Sequence, residues 1–136
     1  MLFTKASEYA LMALIAISKR GGAMDAVTLS NELKLSRSFL AKVLQSLAKA
    51  GILISRKGSG GGFDLARPSS EITIDELLRS VDENCATVFT CSAALCNCPS
   101  GETKSSICVI WPFLNRLQTK IDAVLASTTI ADLTAN

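Results

Sequence analysis

Histidine is absent from these 136 residues, tryptophan and tyrosine occur once each, and proline three times. With no imidazole, and no paired carboxylates beside a pocket motif, the acid–base constellation of an enzyme is missing and a non-enzymatic function is expected. Glycine is sparse at eight and no internal repeat is visible, which excludes fibrous and low-complexity chains. Cysteine is missing from most of the chain: all five fall within "CATVFTCSAALCNCPSGETKSSIC", residues 85–108. Long apolar runs are missing too. The stretch "YALMALIAI" (9–17) is too short to span a membrane. It follows Glu8 and is succeeded by "SKRGG" rather than a small-residue cleavage site, so it is no secretion signal. A buried amphipathic helix in a cytoplasmic protein with no membrane association is expected. In such a reducing compartment, an odd and clustered set of thiols points to metal or redox chemistry rather than a disulfide framework.

What is present is globular: 49% apolar residues against 19% charged, enough for one domain with a real core. The net charge of +2 hides an asymmetry. Residues 1–70 hold ten lysines and arginines against four acids, or +6; residues 71–136 hold four against eight, or −4. A basic first half suits a polyanion such as nucleic acid; two differently solvated faces are the plainer reading.

Residues 4–18, "TKASEYALMALIAIS", begin at an N-cap threonine, Thr4, and repeat apolar residues at helical spacing before "RGG" ends them. "TLSNELKLSRSFLAKVLQSLAKAG" (28–51) reads as two helices, with Thr28 capping the first, a break and new cap at 35–36, and Gly51 closing the second. On a helical wheel with Arg37 at zero, Phe39, Leu40, Val43, Leu44 and Leu47 fall between about 200° and 340°. Arg37, Ser38, Ala41, Lys42 and Gln45 fall between about 0° and 140°. One face is core; the other suits a major groove, where Arg and Lys meet phosphates or guanine and Gln pairs adenine. A solvated helix face has much the same composition.

"ILISRKGSGGGFDLAR" (52–67) then reads as a strand, a cationic glycine-rich turn and a second strand with Phe63 and Leu65 inward. No Gly-Lys-Ser/Thr ends the glycine run and a strand follows it, which rules out a phosphate-binding loop, and Phe63 stands where a dinucleotide fingerprint needs glycine. A helix pair followed by a hairpin with a basic tip is the winged-helix plan. Arg56, Lys57 and Arg67 supply charge, and glycines such as Gly60 allow close approach to a backbone. "TIDELLRSVDE" (73–83) opens with a capping box, Thr73 and Glu76. From about 109 the pattern is helical to the end. Ile110, Leu114, Leu117, Ile121, Val124 and Thr128 step by 4, 3, 4, 3, 4 as in a coiled-coil seam. That seam either packs on its own domain or joins a homodimer, the usual state of proteins that read DNA as a symmetric pair.

The cysteine gaps, Cys85-x5-Cys91-x4-Cys96-x1-Cys98-x9-Cys108, contain no CxxC knuckle for zinc and no bacterial ferredoxin spacing. Thiolates across irregular gaps in a loop suit an iron–sulfur cluster. Zinc, a regulatory disulfide, a thiol sensor and buried apolar cysteines stay open as alternatives.

Together "FTKASEYAL", "LSRSFLAKVLQSLAKAGIL", "RKGSGGGFDLARP", "ITIDELLRSVDE" and "TIADL" resemble the IscR/NsrR-type winged-helix transcription regulators over nearly the whole chain. The resemblance implies a mainly α fold with a small β-hairpin: a winged helix-turn-helix domain over 1–84, a cluster-binding loop over 85–108, and a long C-terminal dimerisation helix with its tail over 109–136. It implies a homodimeric repressor on a double-stranded DNA operator, with a 2Fe-2S or 4Fe-4S cluster sensing nitric oxide, redox or iron–sulfur status. Cys91, Cys98 and Cys108 match the family's ligand cysteines, and Glu8 sits where some members supply a carboxylate from the partner's first helix. Lys57 takes the place of a DNA-contacting cation in the wing, and Ser38, Phe39 and Lys42 lie on the recognition helix. This chain departs from the pattern: six and nine residues separate its matching cysteines where the family has about five, and Trp111 stands where some members have a histidine ligand. Cys85 and Cys96 are additional, which leaves the fourth ligand open and lets Cys96 stand in for Cys98. Two other functions fit the same residues: a cluster-free regulator answering to thiol oxidation or a metabolite, and an electron carrier or cluster-transfer protein.

Overall fold

The computed structural model describes residues 3–82 and 111–135. All five cysteines, and Ile110 of the seam, lie outside the described residues.

Helix α1 (Lys5–Arg20) begins where expected. The Thr4 hydroxyl accepts from the Ser7 amide, while the buried Ser7 hydroxyl accepts from the Thr4 amide and donates to the Thr4 carbonyl. Three polar groups are thereby satisfied without water, which is why serine is tolerated in the interior there. Gly21, at φ +73°, ends the helix by donating its amide to the Ile17 carbonyl. Ala10, Ala13, Leu14 and Ile17 form the buried stripe, and the two alanines let neighbouring helices approach closely.

Helix α2 (Ala26–Leu33) starts three residues earlier than a Thr28 cap would place it. Its cap is Asp25, whose carboxylate accepts from the Thr28 amide at 2.6 Å; Thr28 is itself inside the first turn. The short turn to α3 (Arg37–Lys49) is made by Lys34 in the left-handed conformation, φ +55°. Leu40, Val43, Leu44 and Leu47 of α3 are buried, as their wheel positions require.

Strands β1 (Leu53–Arg56) and β2 (Gly62–Leu65) pair antiparallel, with Leu53 opposite Leu65 and Arg56 opposite Gly62. Phe63 also exchanges both backbone hydrogen bonds with Met24, at 2.9 and 2.7 Å, so the start of β2 is stitched to the α1–α2 turn. A 3-10 turn (Ser69–Glu71) leads to α4 (Ile74–Val81). Thr73 caps α4 through the Glu76 amide. The predicted reciprocal half of the capping box is not made, because the Glu76 carboxylate bonds Arg67 instead.

The C-terminal pattern is two helices. α5 (Trp111–Ser127) stops before Thr128, and α6 (Ile130–Thr134) restarts with a capping box between Thr129 and Asp132. At the joint, Ile74 donates to the Thr128 carbonyl and Ile130 to the Ile72 carbonyl. Leu125 and Ile130 are buried in the same core as α1, α3 and α4. The end of the chain therefore closes the helix-turn-helix core.

Candidate nucleic-acid interface

The polar side of α3 is solvent-facing as its periodicity demands: Arg37, Ser38, Lys42 and Gln45 are all exposed. Ser36 caps the helix by backbone alone, its hydroxyl 3.5 Å from that of Ser38, so no side chain bonds the first amides of α3. Phe39 belongs to the other side. It is half-buried and meets Tyr9 of α1 edge-on, ring centroids 5.0 Å apart. At about 200° on the wheel it sits at the edge of the core face, and its contact with Tyr9 helps to seat α3.

The wing presents Arg56, Lys57 and Gly60 to solvent. Arg56 leans along the hairpin, its Nε 3.3 Å from a carboxylate oxygen of Asp64. Arg67, counted above among the wing cations, is engaged elsewhere: its guanidinium bonds Glu76 and the Glu71 carbonyl, tying the hairpin's exit to α4. The glycines divide by task. Gly58 and Gly60 adopt φ of +92° and +76° in the turn, with open space around them. Gly62 has φ +132°, and a Cβ there would lie 2.4 Å from the Met24 carbonyl carbon and oxygen. One glycine of the run thus serves the Met24–Phe63 stitch rather than any approach to a ligand. The sequence reading missed this because Met24 is remote along the chain.

Between wing and helix-turn-helix lies a polar cleft of about 400 Å³, lined by Arg20, Asp25, Thr28 and the glycine turn. The Asp25 carboxyl is held below its ordinary value, chiefly by the Thr28 amide that it caps. On α1, Glu8 is exposed in the first turn, where a negative charge also suits the helix dipole. Cys91, Cys96, Cys98 and Cys108, the ligand candidates, lie outside the described residues. Among the described residues no cluster of three or more His, Cys, Asp or Glu is positioned to hold a metal. No described helix is long and apolar enough to cross a membrane.

Helix α5 has two apolar sides. Leu114 and Leu125 are buried and Ile121 packs on the core, whereas Phe113 is 56% and Val124 61% exposed. Phe113 and Leu117, with the stems of Arg116 and Lys120, line a shallow apolar cleft of about 300 Å³. The 4-3-4 seam read from the sequence thus straddles an inward and an outward side.

Residues 3–136 match the family model Rrf2, described as an iron-dependent transcriptional regulator. An HTH-type transcriptional regulator of Haemophilus influenzae is 30% identical over 98% of this chain and 86% of its own length. The HTH-type transcriptional regulator IscR of Serratia proteamaculans is 27% identical over 100% of this chain and 80% of its own. Among solved structures, CymR, the global cysteine regulator of B. subtilis, superposes with a TM-score of 0.77 at 21% identity, covering 98% of this chain and 95% of that one. T. potens IscR superposes with a TM-score of 0.76 at 21% identity, covering 98% and 85%. Mainly helical, with one described two-stranded hairpin beside an exposed recognition helix, the chain belongs to the Rrf2 family of winged-helix transcriptional regulators.

Proposed function

We propose that this protein is a homodimeric, cytoplasmic DNA-binding repressor whose operator affinity is governed by an iron–sulfur cluster on Cys91, Cys98 and Cys108. The observation that carries the DNA-binding part is the shared exposure of Arg37, Ser38, Lys42 and Gln45 on α3 with Arg56 and Lys57 on the adjoining wing. A helix face of this composition reads base edges, while the wing cations meet phosphate. The outward side of α5 supports the dimer. Paired recognition helices must sit about 34–36 Å apart to enter successive major grooves.

The cluster reading rests on donor chemistry. Five thiols and no imidazole occur in the segment that joins α4 to α5, and soft thiolates suit iron–sulfide cores of either 2Fe-2S or 4Fe-4S type. Cys96 is the substitute for Cys98, and Glu8 of the partner is the candidate fourth ligand. When bound, such a cluster supplies a centre that nitric oxide, oxygen or iron shortage destroys. The chain's own part is mechanical. α4 and α5 run antiparallel, with Ile74 bonded to Thr128 and Arg79 in the field of Asp122. A change in the segment between them therefore bears on the outward side of α5, and through it on the spacing of the two recognition helices.

The likeness to CymR, the global cysteine regulator of B. subtilis, supports a second reading: a cluster-free regulator answering to thiol state or a metabolite. A visible absorption spectrum with iron and sulfide assays on protein purified without oxygen separates the two. A coloured protein that loses its cluster in Cys108→Ala supports the first. A colourless one that still binds DNA after attempted reconstitution overturns it in favour of the second. An intact cluster with no affinity for any DNA would instead indicate an electron carrier or cluster-transfer protein.

A further inference from the structure

The wing contains one acid, Asp64, in a hairpin otherwise built to meet a polyanion. An acid there should repel phosphate, so its placement needs a reason. Its two oxygens have separate partners: one accepts from the Leu65 amide at 2.8 Å, the other lies 3.3 Å from the Arg56 Nε. The first bond is local to the backbone and fixes the carboxylate; the second uses the fixed carboxylate to hold Arg56. The strand register makes the pair: Arg56 stands opposite Gly62, and Asp64 is two residues along the same face, a diagonal cross-strand neighbour. Gly62 offers no side chain beside Arg56, and it is the glycine that the Met24 backbone requires.

As a stabilising ion pair this contact contributes little, since the Arg56 side chain is 57% exposed. What it does is set a direction. A guanidinium has five donors in a planar fork. With Nε engaged, the two terminal nitrogens form the free edge, and no partner for them occurs among the described residues. That edge is the one that grips a phosphate with two parallel hydrogen bonds. Lys57, by contrast, carries a point charge on a flexible stem.

We propose that Asp64 is a positioning residue for DNA binding: it pre-orients Arg56 so that its terminal nitrogens clamp a backbone phosphate beside the wing. The inference rests on the DNA-binding reading above. It predicts that removing an acid from a DNA-binding surface weakens binding, the reverse of the simple charge effect.

The test is a double-mutant cycle on the full chain, using a duplex recovered from a random-sequence pool by the wild-type protein, with affinity and its salt dependence read by fluorescence anisotropy. Arg56→Ala should lower affinity about three- to tenfold and reduce the slope of log K against log salt by about 0.9, one phosphate contact. Asp64→Ala should lower affinity by a similar factor in the wild-type background and by nothing further in the Arg56→Ala background. Asp64→Asn keeps one acceptor oxygen, for the Leu65 amide, but turns an NH2 donor toward Arg56, so it should lower affinity as Asp64→Ala does. Tighter binding by Asp64→Ala would overturn the proposal, making Asp64 a brake rather than a guide. An equal loss in both backgrounds would overturn it too, since Asp64 would then act on the hairpin and not through Arg56. A wild-type protein that enriches no sequence would overturn the DNA-binding reading itself, and the inference with it.

Discussion

Gly62 shows how a single residue can hold two elements together. A Cβ at this position would lie 2.4–2.5 Å from three backbone atoms of Met24 and Asp25, none of which can swing aside as a flexible side chain would. Gly62→Ala should therefore break the Met24–Phe63 stitch and destabilise the fold by about 2–4 kcal/mol. Gly58→Ala, strained in φ but with open space, should cost about 1–2 kcal/mol. Denaturant unfolding of the two variants gives the comparison. The glycine run was legible in the sequence as a turn; the demand at position 62 was not, because it comes from a backbone segment remote in the chain. Phe39 was half legible in the same sense. Its wheel angle put it at the margin of the core, and only the ring of Tyr9 decides that it turns inward. Asp25 carries a prediction of a different kind. Its folded-state pKa is depressed below the ordinary 3.8 by the amide it caps. Its contribution to stability is thus present above that value and lost as pH falls through the lower folded value. Asp25→Asn keeps a cap but removes the charge, so its unfolding free energy should fall less steeply than that of wild type as pH drops below about 4. A parallel fall in both proteins would show that the Asp25 charge does not contribute.

At the scale of elements, the boundaries follow from which polar group reaches which amide. α4 was recognisable from "TIDE", and Thr73 does cap it; Thr73→Ala should cost about 1 kcal/mol by thermal or denaturant unfolding. Glu76 looked like the second half of a capping box because sequence spacing cannot show Arg67 arriving from the end of the hairpin. That arrival also removes Arg67 from the wing's charge. Arg67→Ala should leave the salt slope of DNA binding unchanged, whereas Lys57→Ala should reduce it by about 0.9. Equal reductions would return Arg67 to the interface. The break between α5 and α6 had its own sequence signal, Thr129 three residues before Asp132, but a helical pattern continuing on both sides masked it. What makes the break is tertiary: the chain leaves α5 to pair with residues 72–74, and Ile130 is buried by doing so.

For the molecule as a whole, α5 decides between a helix that finishes its own domain and one that joins two. The heptad spacing favoured the second, and the plan of helix pair, hairpin and terminal helix was readable from periodicity and turn chemistry alone. Periodicity could not show that the helix packs into its own core on one side and leaves apolar side chains in water on another. Leu125 is 7% exposed and sits in the core with Ile130, while Val124, its neighbour in sequence, is 61% exposed. Adjacent residues lie about 100° apart on a helix, so two consecutive side chains can face different partners. A substitution at each separates the functions. Leu125→Ala opens a core cavity and should lower stability by about 2–5 kcal/mol in the usual range for buried leucine. Val124→Glu changes a side chain the single chain leaves in water, so circular dichroism and the stability of the isolated chain should be nearly unaffected. If the outward side of α5 is the dimer seam, that glutamate is buried unpaired against its own symmetry mate, and the protein should elute as a monomer by light scattering. DNA affinity should fall with it, because each chain then binds a half-site alone and the gain from simultaneous docking is lost. A Val124→Glu protein that remains dimeric would place the seam elsewhere, and would remove α5 as the link between the cysteine segment and the spacing of the recognition helices.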